Sequence, residues 1–203
     1  MGAYSRRRTS LDVLKYVERA FGQDALVRTL RRLQVTPSLL EDPDALISLR
    51  FLTDLCDHLG ERGFSDETLI EMGKFTTLVN ADSVMGRLLS ECPKPRELYD
   101  LQINHLMTHY DFNFSYRTTR LNHEGCLIEV RENQDVASEL GVTHLGSPRN
   151  CLTRLGRAAA VTAFAGLAHS RIVETHCVHR GDACCILKVD YSDTTRSAAQ
   201  LDS

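Results

Sequence analysis

Residues 171–189 read RIVETHCVHRGDACCILKV and place Cys177, Cys184 and Cys185 beside His176, His179 and Glu174. Alternating apolar residues flank a central Arg180-Gly181-Asp182, which is the pattern of a β-hairpin with a glycine-bearing turn. In a hairpin symmetric about Gly181, Cys177 and Cys185 stand four residues to either side and face each other. Opposed side chains on an antiparallel pair lie roughly 5 Å apart, within reach of one tetrahedral metal ion. Cys184 points to the other face by the two-residue period of a strand and reads as a core residue.

Zinc takes three or four protein ligands from Cys, His and carboxylates, so two thiolates need company. Glu174, His176, His179 and the more distant Cys151 are the candidates. Cys151 opens the Ala-rich stretch CLTRLGRAAAVTAFAGLA (151–168), which has the composition of a tightly packed helix. A helix start favours a thiolate, so a helix laid back on the hairpin delivers Cys151 as a third ligand.

Cys151, Gly156, Glu174, Cys177, Gly181, Asp182 and Cys185 together resemble the signature of the 4-vinyl reductase domain. The same arrangement is similar to that of the N-terminal sensor domains of phenol- and xylene-responsive bacterial activators, within a transport-particle-like superfamily. The resemblance implies a structural zinc ion held by Cys151, Glu174, Cys177 and Cys185. Four protein ligands leave no open position for catalysis, and the metal then pins the hairpin to the helix. Glu174 and Cys177 are three residues apart and fall on opposite faces of a regular strand, so a bulge or a strand end must intervene. Without one, His179 replaces Glu174.

Upstream, 203 residues suffice for one domain with a substantial core. With 24 Lys+Arg against 27 Asp+Glu the net charge is -3, which offers no general attraction to nucleic acid or anionic membrane. Arg6 to Arg8 read as part of a flexible terminus over residues 1–9. No apolar run reaches the roughly 18 residues of a bilayer span, and no signal peptide is evident, so a cytoplasmic chain is expected. Seven cysteines in a reducing compartment point to metal or redox chemistry rather than disulfides, with Cys56 and Cys92 as small buried residues.

Helical periodicity runs from Ser10 to Leu33 with a break at Gly22, and resumes in residues 45–63 after the turn-rich VTPSLLEDPDAL (35–46). Further helices are expected from Ser65 and from Pro95 to Tyr110, where Pro95 suits a first turn. The aromatic and β-branched stretches FNFSYRTTRL (112–121) and CLIEVRE (126–132) predict a first hairpin. The expected fold is therefore α+β: N-terminal helices, a small antiparallel sheet and the metal-stapled hairpin. One domain spans residues 10–191, residues 10–62 are candidate dimerisation helices, and residues 192–203 read as a tail or linker.

His105 and His109 share a helix face by their four-residue spacing and, with Phe112, Phe114 and Tyr116, are the candidate ligand pocket. Tyr116, Thr118 and Arg120 superficially resemble the Tyr-x-Ser-x-Arg motif of haem nitric-oxide-binding domains, whose fold the order of elements read here does not match. No histidine stands at the required distance upstream, so haem is not expected. No phosphate loop, nucleophile elbow or dinucleotide fingerprint is present, and catalysis is not indicated. The resemblance implies a sensory or regulatory domain for a small hydrophobic or aromatic ligand, dimeric and coupled to an output domain or partner protein. The alternatives are a tetrapyrrole-binding enzyme or carrier, and an interaction scaffold without a ligand.

Overall fold

The computed structural model describes residues 4–35 and 46–194. The tail beyond residue 194 and most of the turn-rich segment after residue 35 lie outside them. The first half is helical: α1 (Arg7–Phe21), α2 (Gln23–Arg32), α3 (Leu49–Glu61), α4 (Asp66–Leu78) and α5 (Val84–Ser90). Gly22, at φ 83°, makes the break between α1 and α2 that the periodicity predicts. Ser48, Ser65 and Ser83 cap α3, α4 and α5 by accepting a backbone N–H two or three residues on.

The N-terminus departs from the flexible arm expected over residues 1–9. Tyr4–Arg6 (β1) pairs antiparallel with Leu46–Ser48 (β2), and Arg7 and Arg8 already belong to α1. A three-residue strand carries too little pattern to be seen in sequence.

A helical rod spans α6 (Pro95–Tyr99), a π-helical stretch (Asp100–Leu106) and α7 (Met107–Tyr110). It leads into β3 (Phe114–Thr119) and β4 (Gly125–Glu132), the first predicted hairpin. The polar stretch after β4 contains α8 (Gln134–Leu140), capped by Asn133 and closed by Gly141 in the left-handed region, a helix too short to show a period. Next come α9 (Pro148–Ala159), a 3-10 extension (Ala160–Ala165), β5 (Arg171–His176) and β6 (Cys185–Asp190). The four long strands form one antiparallel sheet in the order β3-β4-β6-β5. The α+β class is as expected.

Two glycines set the position of α9. A Cβ on Gly73 of α4 would strike the carbonyl oxygen of Thr153, and one on Gly156 would strike the carbonyl oxygen of Ile70. The two backbones therefore touch, which only a glycine pair allows. Tyr99 fixes the rod to the same helix: it is fully buried, its hydroxyl donates to Ala158 O at 2.7 Å, and its ring stacks on Tyr191. The main core lies under the sheet, between Ile128, Val130, Leu187 and Val189 on the strands and Leu155, Ala158 and Val161 beneath.

Candidate metal centre and ligand cavity

Cys151, Glu174, Cys177 and Cys185 each bring one ligand atom to a common point, with all four atoms within 4.8 Å of one another. Cys151 Sγ and Cys177 Sγ are 3.8 Å apart. Two sulfurs at about 2.3 Å from a tetrahedral ion are separated by roughly that distance. The three cysteines are buried, and none of the seven in the chain is in a disulfide.

The bulge that the sequence required is present. Glu174 pairs with Leu187 and His176 with Ile186, so β5 carries an extra residue opposite β6. That extra residue turns Glu174 and Cys177 to the same side. Glu174 Oε1 is buried without a hydrogen-bond partner, while Oε2 faces Arg180 at 3.3 Å. A buried carboxylate oxygen with no donor, set among three thiols, fits a cation.

The connection between β5 and β6 is longer than the predicted tight turn. After Cys177 the chain makes a 3-10 turn (Val178–Arg180), passes through Gly181 at φ 93° and re-enters the sheet at Cys185. Cys177 and Cys185 are therefore not ladder partners; Cys185 pairs with Val130 on β4. Asp182 holds the loop, its carboxylate accepting from Cys177 N at 2.8 Å while its own N–H donates to Cys177 O. His179 sits in the 3-10 turn with its ring edge-on to His144, 5.7 Å between centroids, outside the cluster. Cys184 is also buried and outside the cluster.

The thiols lean on one another. The Cys151 and Cys185 thiols act on each other, Cys185 being held below its ordinary value by its neighbour Cys151 while Cys151 is pushed up by Cys185 and by burial. Burial pushes Cys177 up to about 11. Arg154, one turn along α9, places Nη1 3.9 Å from Cys151 Sγ and its guanidinium over the Phe114 ring at 4.3 Å. Three thiolates and a carboxylate around a divalent ion leave a doubly negative site, and Arg154 and Arg180 are the two cations against it.

On the inner side of the sheet lies a cavity of about 410 Å³. Helices α1, α3, α4, α5 and α9 and the rod wall it opposite strands β3, β4 and β6, with Ile103, Met107, Phe114, Ile128 and Leu187 among its apolar lining. Val84, one of its wall residues, is 58% exposed. Gln102, Tyr116, Arg154 and Arg157 are polar members of the wall. Tyr116 donates to Asp111 Oδ2 at 2.7 Å, while Gln102 Oε1 is buried with no partner.

Of the five residues expected to form the pocket, Phe114 and Tyr116 line this cavity, whereas His105 and His109 are exposed and Phe112 is 49% exposed. The rod's inward stripe runs instead through Gln102, Ile103, Met107 and Tyr110. The wider turn of the π-helical stretch shifts which residues face inward, and 3.6-residue counting cannot anticipate that shift. The alanine-rich composition of α9 gives no hint of Arg154 and Arg157; their three-residue spacing on one helix face is the available signal. Tyr116, Thr118 and Arg120 do not act as a set. Thr118 bonds Asn104, and Arg120 ends β3 as an exposed residue at φ 52°.

No family model and no curated protein matches the chain. Its fold is shared with solved structures. An Fe(II) unliganded H-NOX protein from K. algicida superposes with TM-score 0.66 at 14% identity, over 95% of this chain and 98% of that one. An H-NOX protein from S. oneidensis in the Fe(II)NO ligation state gives TM-score 0.66 at 11% identity, over 91% and 98%. A trafficking protein particle complex subunit 3 from Naegleria fowleri, covalently bound to palmitic acid, gives 0.55 at 11% identity, over 73% and 98%. The likeness to H-NOX structures corrects the expectation that the haem nitric-oxide-binding fold differs from this one, since a coarse order of elements does not fix how helices wrap a sheet. The likeness to the trafficking subunit agrees with the transport-particle-like resemblance.

Proposed function

We propose that this chain is a small-molecule-binding sensory domain whose C-terminal hairpin is stapled by a structural zinc ion. The observation that carries the reading is the 410 Å³ cavity between helices and sheet, which falls within the size range of small-molecule sites and is apolar with a few polar groups. Cys151, Glu174, Cys177 and Cys185 hold the zinc. They join α9 to the hairpin, and α9 also forms one wall of the cavity, so the metal fixes the pocket's shape. The resemblance to 4-vinyl reductase and phenol-responsive sensor domains supports the same reading, as does the sharing of this fold with H-NOX structures in defined ligation states.

A sensor needs a second state to select. The reading includes a homodimer through α1 and α2, where Phe21 and Val27 are 44% and 41% exposed, and an output module or partner that reads the dimer. Seven free cysteines suit the cytoplasm. No described helix is long and apolar enough to cross a membrane.

Haem itself is poorly served here. Among the described residues of the wall there is no histidine or cysteine to ligate iron, although Met107 and Tyr110 are present. The test is a thermal-shift screen of the zinc-loaded protein over phenols, fatty acids and porphyrins, with metal analysis of the same preparation. Stabilisation by at least one class and about one zinc per chain are expected. A protein that no class stabilises, with the cavity lining inert to substitution by larger residues, is a scaffold and not a sensor.

A further inference from the structure

Two arginines stand in the cavity wall, on successive turns of α9, and no carboxylate lies within 4 Å of either among the described residues. Arg154 is committed to Cys151 Sγ and the Phe114 ring. Arg157 has one bond through Nε, to Thr76 Oγ1 at 3.3 Å, and its Nη2 is buried with no partner at all. The other charged wall residues, the carboxylates Asp12 and Asp111, make their bonds to groups other than the two arginines. Asp12 accepts from Lys15 at 3.1 Å and Asn80 at 2.6 Å, and Asp111 accepts from Tyr116 and from Asn113 N. Burial pulls Arg157 below its ordinary value, and the charge of Asp111, beyond salt-bridge distance, offsets that only in part.

A guanidinium does not lose its proton in a protein, so the charge has to be met. An uncompensated buried charge is costly, and what the chain does not supply a ligand can. We infer that the cavity takes an organic acid, a monocarboxylate on an apolar body, with Arg157 as the anchor of its carboxylate. The reasoning rests on the ligand-binding reading above and names its ligand class. One unmatched cation calls for one negative charge, and a phosphate carries nearly two at neutral pH. The apolar wall of Ile103, Met107, Ile128 and Leu187 calls for a hydrocarbon body rather than a polar acid.

The test uses the zinc-loaded full chain at neutral pH and a matched pair of probes, naphthalene-2-carboxylate and its uncharged isostere 2-naphthamide, with 2-naphthol and inorganic phosphate alongside. Calorimetry is expected to show the acid binding on the order of 10- to 100-fold more tightly than the amide, the span of a charge-assisted hydrogen bond. Phosphate should give no shift. Arg157→Met should abolish the preference for the acid while still binding the amide, which also shows that the variant is folded; Arg157→Lys should keep part of the preference. Equal or tighter binding of amide or naphthol by the native protein overturns the inference and leaves the sensory reading standing. An acid preference that survives Arg157→Met overturns the anchor. If none of these probes binds and no class in the wider screen does either, both readings fall together.

Discussion

Gly156→Ala probes the joint on which both the metal centre and the cavity depend. The new Cβ meets the carbonyl oxygen of Ile70 and lies against the Gly73 Cα, both backbone atoms that cannot rotate away. To restore van der Waals contact α4 and α9 must part by on the order of 1 Å. Overpacking of this kind costs about 1–3 kcal/mol, and the upper end applies where backbone meets backbone. Alanine's better helix propensity returns up to about 1 kcal/mol. The net loss is about 2 kcal/mol, which for a chain of this size lowers Tm by about 4–8 °C. Because α9 carries Cys151 at one end and Arg157 beside the mutated site, zinc should also be stripped at a lower chelator concentration. Differential scanning calorimetry with a chelator titration reads both effects. Gly60→Ala is the control: the three atoms nearest its Cβ all belong to the flexible Arg149 side chain, so the same chemical change there should cost much less. A Gly156→Ala protein that melts with the native one, or no lower than Gly60→Ala, would refute the backbone contact.

Cys151→Ser and Cys185→Ser should each lose or weaken zinc, read by metal analysis, and full occupancy in both would dismiss the site. Glu174→Gln keeps the shape but gives up the charge on the buried unpartnered oxygen, so zinc should be retained less tightly than in the native protein in a chelator competition. Tyr99→Phe removes the hydroxyl bond to the Ala158 carbonyl, which still accepts the Ala160 N–H, and a loss of about 1 kcal/mol is expected by urea titration. Burial pushes Cys56 and Cys126 up to about 12, so both thiols stay protonated at pH 8 and should resist iodoacetamide until the protein is unfolded, as mass spectrometry can follow. Rapid labelling of either in the native state would mean that the core opens far more readily than its packing implies.

The cluster of Cys151, Glu174, Cys177 and Cys185, which could hold a metal ion, was the most legible part of the chain, and the structure explains why. Its residues are chemically rare, Glu174, Cys177 and Cys185 lie close together in sequence, and Gly181 and Asp182 are needed by the loop itself: one for its φ of 93°, the other to accept from Cys177 N. The required bulge was foreseeable because Glu174 and Cys177 have odd spacing on a strand. The detail of the hairpin was not, since the 3-10 turn that removes Cys177 from the ladder leaves no periodic trace.

The cavity is a different case. Sequence by itself determined the helix break at Gly22, the helix start at Ser65 and the two hairpins, which depend on neighbours within a few residues, while the resemblance supplied the four candidate ligands. Only the tertiary structure decided which rod face points inward, that Arg154 and Arg157 meet the apolar wall, and that His105 and His109 face solvent. A pocket is the space several distant elements leave between them, so its lining is fixed by packing: the Gly73–Gly156 contact sets how close α9 comes, and the π-helical stretch sets the rod's rotation.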